Sequence, residues 1–180
     1  MGEIPHPRLE IARVPISPSQ ERLTMIDSLQ DFVAVFPEPL QWLAVALVSA
    51  IPFVESYFGS AIGVLMGLPP AVGILAAVLG NGISMFLFVN SAHAVRSKVR
   101  QGKENGKPKY EKIHRAFDKF GIAGVSLVGQ TMLPSQITSA ALVSFGASKQ
   151  KVIFWQVISI ILWGVIFGTL AALGMPLLAK

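Results

Sequence analysis

The sequence predicts an all-α integral membrane protein: an inverted repeat of two re-entrant helical hairpins and two transmembrane helices, preceded by an amphipathic helix. Three observations predict it. Of 180 residues, 52% are hydrophobic and only 14% charged, against about 25% charged in an ordinary soluble domain. Four stretches are almost free of ionisable groups: Leu40 to Leu68 carries only Glu55, while Ala71 to Ala92, Gly121 to Ser148 and Val152 to Ala179 carry none. A proline stands near the middle of the first and third, Pro52 and Pro134.

Residues 1–39 divide from the membrane domain 40–180 by composition. Met1 to Ile16 is polar, holds three prolines and reads as an irregular arm. The first thirty residues include Glu3, Glu10, Glu21 and Asp27 and do not read as a cleavable signal. Ser17, Pro18 and Gln20 have the pattern of an N-cap, a first-turn proline and a reciprocal capping residue. Leu23, Ile26, Leu29, Val33 and Phe36 then recur at helical spacing up to Pro37. This helix is too polar to span. Its expected place is against the membrane surface or other protein, with Glu21, Asp27 and Asp31 outward.

Stretches 71–92 and 152–176 suit single crossings, because about 20 apolar residues cover a hydrocarbon core of roughly 30 Å. The other two do not. As one helix, 40–68 would be about 43 Å long and would need a tilt near 45°. Proline removes a backbone donor and clashes with the preceding turn, which favours a break at Pro52 and at Pro134. What remains after each break, Ser56 to Gly67 and Ser135 to Gly146, is about 18 Å of helix and reaches only halfway across. Both stretches, 40–68 and 121–148, are therefore expected to turn back.

Charge gives an independent expectation. Nine basic and three acidic residues lie in the loop 93–119, and Lys149 and Lys151 follow the second broken stretch. If that stretch turns back, all eleven basic residues share one side, the cytoplasmic one by the positive-inside rule. Pro52 then corresponds to Pro134 and Gly67 to Gly146. One crossing separates the two hairpins, so they enter from opposite sides, a plan common in secondary transporters with the binding site at the interrupted segments.

Glu55 is the one ionisable side chain inside an apolar stretch, and such a group is functional by default. A carboxyl withdrawn from water without a basic partner is favoured in its protonated form, which suits a proton carrier. The plainer reading is a protonated acid hydrogen-bonded to Gln130 or Gln136 that fixes packing. Ser56 and Ser135 follow the breaks as expected caps, where helix N-termini bring positive dipole ends and free N–H groups toward the midplane. Asn81, Gln130, Gln136 and Thr138 would add neutral hydrogen bonds there, or merely satisfy backbone opened by the breaks. Gly59, Gly63 and Gly67, and Gly164 with Gly168, have small-xxx-small spacing for close helix approach, within one chain first and in a homodimer as the alternative. Trp42, Trp155 and Trp163 read as interface or packing anchors.

The basic loop is explained by cytoplasmic retention and not by nucleic acid, since Tyr110, Phe117 and Phe120 form no stacking array. His6, His93 and His114 lack ligand spacing, so neither a metal nor another cofactor is expected. No serine sits in a GxSxG turn with His and acid partners, so no enzyme activity is expected. Zero cysteine removes thiolate chemistry.

The run from Ala50 to Gly63, with Pro52, Glu55, Ser56, Gly59 and Ser60, followed by Leu79, Gly80, Asn81 and Gly82, resembles the small multidrug export family within the wider DedA/VTT-like superfamily. The resemblance covers roughly residues 45 to 176. It implies transport through two opposed re-entrant hairpins in a bacterial plasma membrane, with lipid-phosphate or small-molecule substrates, and maps Pro52, Glu55, Asn81 and Pro134 onto the motif. Where the family carries arginines, this sequence has Tyr57, Gln130 and Gln136. The expected function is thus a small, proton-linked membrane transporter or lipid scramblase. The alternative is a non-transporting accessory subunit that stabilises a larger membrane complex.

Overall fold

The computed structural model describes residues 27–99, 111–130 and 132–178, with side chains for 27–95, 120–130 and 132–174. All regular structure among them is helical. Helix α1 is described over Asp27–Ala34, and after Pro37 a single 3-10 turn, Glu38–Leu40, leads into α2, Gln41–Ser49. There follow α3 (Glu55–Leu65), α4 (Pro70–Val99), α5 (Glu111–Gly129), α6 (Ser135–Phe145) and α7 (Lys149–Leu178).

The i, i+4 pattern of α1 does what it predicts. Val33 is fully buried, and Leu29 and Phe36 pack on the cluster of Ala44, Val45, Val48, Ile62 and Ala77, while Asp27 and Asp31 face outward. The arm, the cap residues Ser17, Pro18 and Gln20, and Glu21, Leu23 and Ile26 lie outside the described residues.

Two helices are long and apolar enough to cross a membrane, Pro70–Val95 and Lys149–Gly174. At 26 residues each they extend about 39 Å, more than the hydrocarbon core requires. The helices that contain them, α4 and α7, run past the expected limits of 71–92 and 152–176. The loop expected over 93–119 is narrower than its charge suggests, because α4 continues to Val99 and α5 starts at Glu111. No proline or glycine lies between Gly82 and Gly102, so nothing stops α4 where the charges begin. At 121, the expected start of the second hairpin, the chain kinks: Gly121 has φ 67° within α5, a conformation glycine adopts without strain, and the apolar helix Phe120–Gly129 begins there.

The remaining helices are short. α2, α3, α6 and the apolar part of α5, Phe120–Gly129, have nine, eleven, eleven and ten residues, about 14 to 17 Å each. Their directions follow from small residues at contact points. Gly59 meets Ser49 and Gly63 meets Val45, so α2 and α3 are antiparallel; Gly63 also meets Gly73, setting α3 antiparallel to α4. Gly80 abuts the Ala46 carbonyl and Ser84 Oγ donates to the Ala50 carbonyl (2.8 Å), so α2 runs parallel to α4. α4 and α7 are antiparallel: Gly164 lies against Val78 and Gly168 against Ile74, and Lys149 Nζ donates to Asn90 Oδ1 (2.5 Å). A second core of Met85, Val89, Val125, Leu142, Val152 and Ile160 joins α4, α5, α6 and α7.

Element order recurs between the halves. An eleven-residue helix ends on a left-handed glycine and is followed by a thirty-residue helix, at Gly67 (φ 93°) and again at Gly146 (φ 107°). In both, the next residue closes the turn: Leu68 N–H donates to Gly63 O and Ala147 N–H to Leu142 O, the six-to-one bond of a Schellman cap. Gly67 is thus a helix stop and not a packing residue, since a Cβ there would meet nothing within 4 Å. The other expected packing glycines, Gly59, Gly63, Gly164 and Gly168, do sit against neighbouring helices.

Candidate functional site

The two breaks meet. Between α2 and α3 the chain turns over Ala50–Val54, with positive φ at two non-glycine residues, Phe53 (75°) and Glu55 (53°). Such residues cost on the order of 1–3 kcal/mol each and persist where surrounding structure holds them. The conformation aims the Glu55 side chain, which is fully buried, across to the other half. There its Oε1 accepts the backbone N–H of Ser135, the first residue of α6. Gln130, at the end of α5, flanks the same carboxyl.

This point lies midway along both long helices. Asn81 is eleven residues from the start of the span Pro70–Val95 and fourteen from its end, and Ile160 holds the same position in Lys149–Gly174. Asn81 Oδ1 accepts from Ser135 Oγ (3.2 Å) and from Gln136 Nε2 (3.1 Å). Gln136 Nε2 also reaches Ser84 Oγ at 3.5 Å. Ser159 Oγ donates to Gln130 Oε1 (2.7 Å), and Ser56 Oγ donates to the Ile160 carbonyl (2.8 Å).

Of the residues singled out from sequence, Glu55, Asn81, Gln130, Ser135 and Gln136 converge here. Pro134 immediately precedes α6 with φ −53° and ψ 140° and its carbonyl accepts the Thr138 N–H, while Pro52 lies in the first turn. Thr138 is buried with an unpaired hydroxyl. Two expected roles are corrected. Ser56 and Ser135 do not cap α3 and α6, whose N-caps are Val54 and Pro134 without side-chain bonds; their hydroxyls reach α7 and α4 instead. Nor does Glu55 bond chiefly to a glutamine. It takes the helix N-terminus that a serine was expected to fill, accepting the open backbone donor there.

Two participants were missed, Ser84 and Ser159, and so were Ser126 and Gln156, which are buried with unpaired polar atoms. In α7, Gln156 and Ser159 are three residues apart within an otherwise apolar run, and that i, i+3 pairing was the available signal. Tyr57, Phe58, Gln130, Trp163 and Phe167 line a cleft of about 280 Å³ beside the centre. Trp163, expected only as an anchor, fixes this wall by donating Nε1–H to the Leu127 carbonyl (3.0 Å), and its ring lies 6.0 Å from that of Phe167.

The centre therefore offers one carboxyl, three amides, several hydroxyls and a helix N-terminus, with no cationic side chain among the described residues. It can hold and pass a proton and hydrogen-bond a neutral or anionic group. No group of three or more His, Asp or Glu side chains among the described residues is placed to hold a metal. Comparison with family models, curated proteins and solved structures finds no match to this chain.

Proposed function

We propose that the protein is a small proton-linked membrane transporter or lipid scramblase of DedA/VTT-like plan, with its substrate bound near the midplane between two re-entrant hairpins. One observation carries the reading: the buried Glu55 carboxyl of the first break sits on the first N–H of α6 at the second break, midway along both long helices. Proton transfer to that carboxyl removes a charge from the positive end of α6 and weakens the bond that ties the halves together. Loading a proton is thereby linked to loosening the centre.

The hairpin reading is supported by the antiparallel packing of α2 on α3 and by helices too short to span. The Lys149–Asn90 bond supports a second hairpin that returns to the end it left, with the basic residues together on one side. The inverted relation is supported by α2 running with α4 while α4 opposes α7. The accessory-subunit reading draws less support, because the apolar stripe of α1 already covers this chain's own core.

Proteoliposome flux under an imposed pH gradient, with lipid-phosphate and cationic-drug panels, tests the proposal. Glu55→Gln, which retains an acceptor for Ser135 but cannot ionise, should abolish the pH-gradient dependence. Flux in Glu55→Gln equal to wild type removes Glu55 from the mechanism, and no flux of any panel member returns the case to the accessory reading.

A further inference from the structure

Among the described residues, seven buried side-chain polar atoms have no hydrogen-bond partner: Glu55 Oε2, Asn81 Nδ2, Ser126 Oγ, Gln130 Nε2, Thr138 Oγ1 and both Gln156 amide atoms. Their distribution is lopsided. None is on α2, and none is on α3 beyond Glu55. The hydroxyls on that side are closed onto backbone: Ser49 onto Val45 O, Ser60 onto Tyr57 O and Tyr57 onto Phe53 O.

The unpaired atoms away from the centre all lie toward the end marked by Lys149. Gln156 is seven residues beyond Lys149 on α7, about 10 Å along the axis, and one turn short of Ser159. Thr138 is one turn beyond Ser135 on α6, which leads toward Lys149. Ser126 is one turn before Gln130 on α5, which reaches the centre from the basic-loop end, and a Cβ on Gly129 would lie 3.5 Å from Thr138, so the last turns of α5 run beside the first turns of α6. Residues three or four apart share a helix face, so Ser126, Thr138 and Gln156 sit one layer out from Gln130, Ser135 and Ser159.

We infer that ordered water occupies this layer and connects Glu55 to the aqueous phase at the Lys149 end, so that the carboxyl exchanges its proton with the basic-loop side. Buried polar atoms without protein partners are satisfied by water where several converge, and a run of hydroxyls and amides that both donate and accept relays protons through such water. The segments 120–130, 135–145 and 152–174 carry no acidic or basic side chain, nor does 71–92, and α3 carries only Glu55 and the Tyr57 phenol. Between Glu55 and Lys149, where the path ends, these segments hold no other carboxyl or amine to intercept the proton. The inference rests on the proposed role of Glu55 and adds the side from which it is served.

The chain contains no cysteine, which allows a direct test that reads water and not transport. Single variants Ser126→Cys, Thr138→Cys and Gln156→Cys in oriented proteoliposomes are exposed to Ag⁺ from one side, then denatured, and their remaining thiols counted. Lys151→Cys, at an exposed position beside Lys149, marks the basic-loop side and Leu142→Cys the dry core. The three site thiols should be blocked from the Lys151 side about tenfold or more faster than Leu142→Cys, since apolar core excludes hydrated ions. Blocking only from the opposite side, or at the Leu142→Cys rate, overturns the inference. Water-edited solid-state NMR on the unsubstituted protein covers variants that fail to fold. Water magnetisation should reach the Gln156 and Gln130 amides before the Leu142 methyls, and the reverse order also overturns the inference. Loss of the transport reading with intact labelling would leave the water path standing and its use unexplained.

Discussion

Gly80 and Gly82 stand two residues apart on α4 around Asn81, and they should respond oppositely to alanine. A Cβ on Gly80 would drive into the Ala46 carbonyl of α2, backbone that cannot rotate away, whereas one on Gly82 would meet nothing within 4 Å. Both substitutions gain helix propensity, about 0.5–1 kcal/mol relative to glycine. That gain cancels in the difference between variants. What remains is the cost of forcing α2 from α4, on the order of 1–3 kcal/mol for overpacking. For a chain of this size each kcal/mol shifts Tm by about 2–4 °C, so Gly80→Ala should melt roughly 2–12 °C below Gly82→Ala. Thermal unfolding in mild detergent, followed by circular dichroism, measures it. Equal Tm values would refute the packing of α2 along α4, and with it the direction assigned to the first short-helix pair. Gly80→Ala should also displace the turn at Ala50–Val54 and so perturb Glu55.

Three further outcomes follow from other contacts. Asn90→Cys with Lys149→Cys should be joined by a short bis-thiosulfonate in native membranes, read as a mass increment; absence of the product would deny that Asn90 of α4 lies beside the start of α7. Gly67→Ala forces an alanine to positive φ and should cost about 1–2 kcal/mol, while Gly67→Asn, which tolerates that region, should cost less; chemical or thermal unfolding of both variants decides it. Trp163→Phe removes the bond to the Leu127 carbonyl and should lose about 0.5–1.5 kcal/mol, seen as a Tm drop beyond that of Trp42→Phe, whose ring is 43% exposed.

Much of the fold was legible because its signals are local. Pro52 and Pro134 mark breaks through chain chemistry alone, and the apolar lengths fix which helices can span. Glu55 stood out because a lone acid among apolar residues is costly wherever it lands. The partners of these residues were not legible. Ser135 meets Glu55 across eighty positions of sequence, and nothing in either neighbourhood says that the carboxyl, and not the adjacent hydroxyl, takes the open N–H. Charge also misled at the helix ends: Arg96 and Lys98 read as loop, yet a helix continues through charged residues until glycine or proline stops it. Ser126 and Gln156 passed unnoticed because one polar side chain in an apolar helix looks incidental until the neighbouring helices show what faces it.

The pairing of α3 with α7 bears on biosynthesis. Ser56 is held by the Ile160 carbonyl, and Gly164 and Gly168 press on Ser56 and Ser60. A nascent chain that has delivered only its first half to the insertion machinery therefore has an unmatched carboxyl and an uncovered helix face. Completion must await α7, so truncations before Gly168 should leave the early segments as substrates for membrane quality-control proteases.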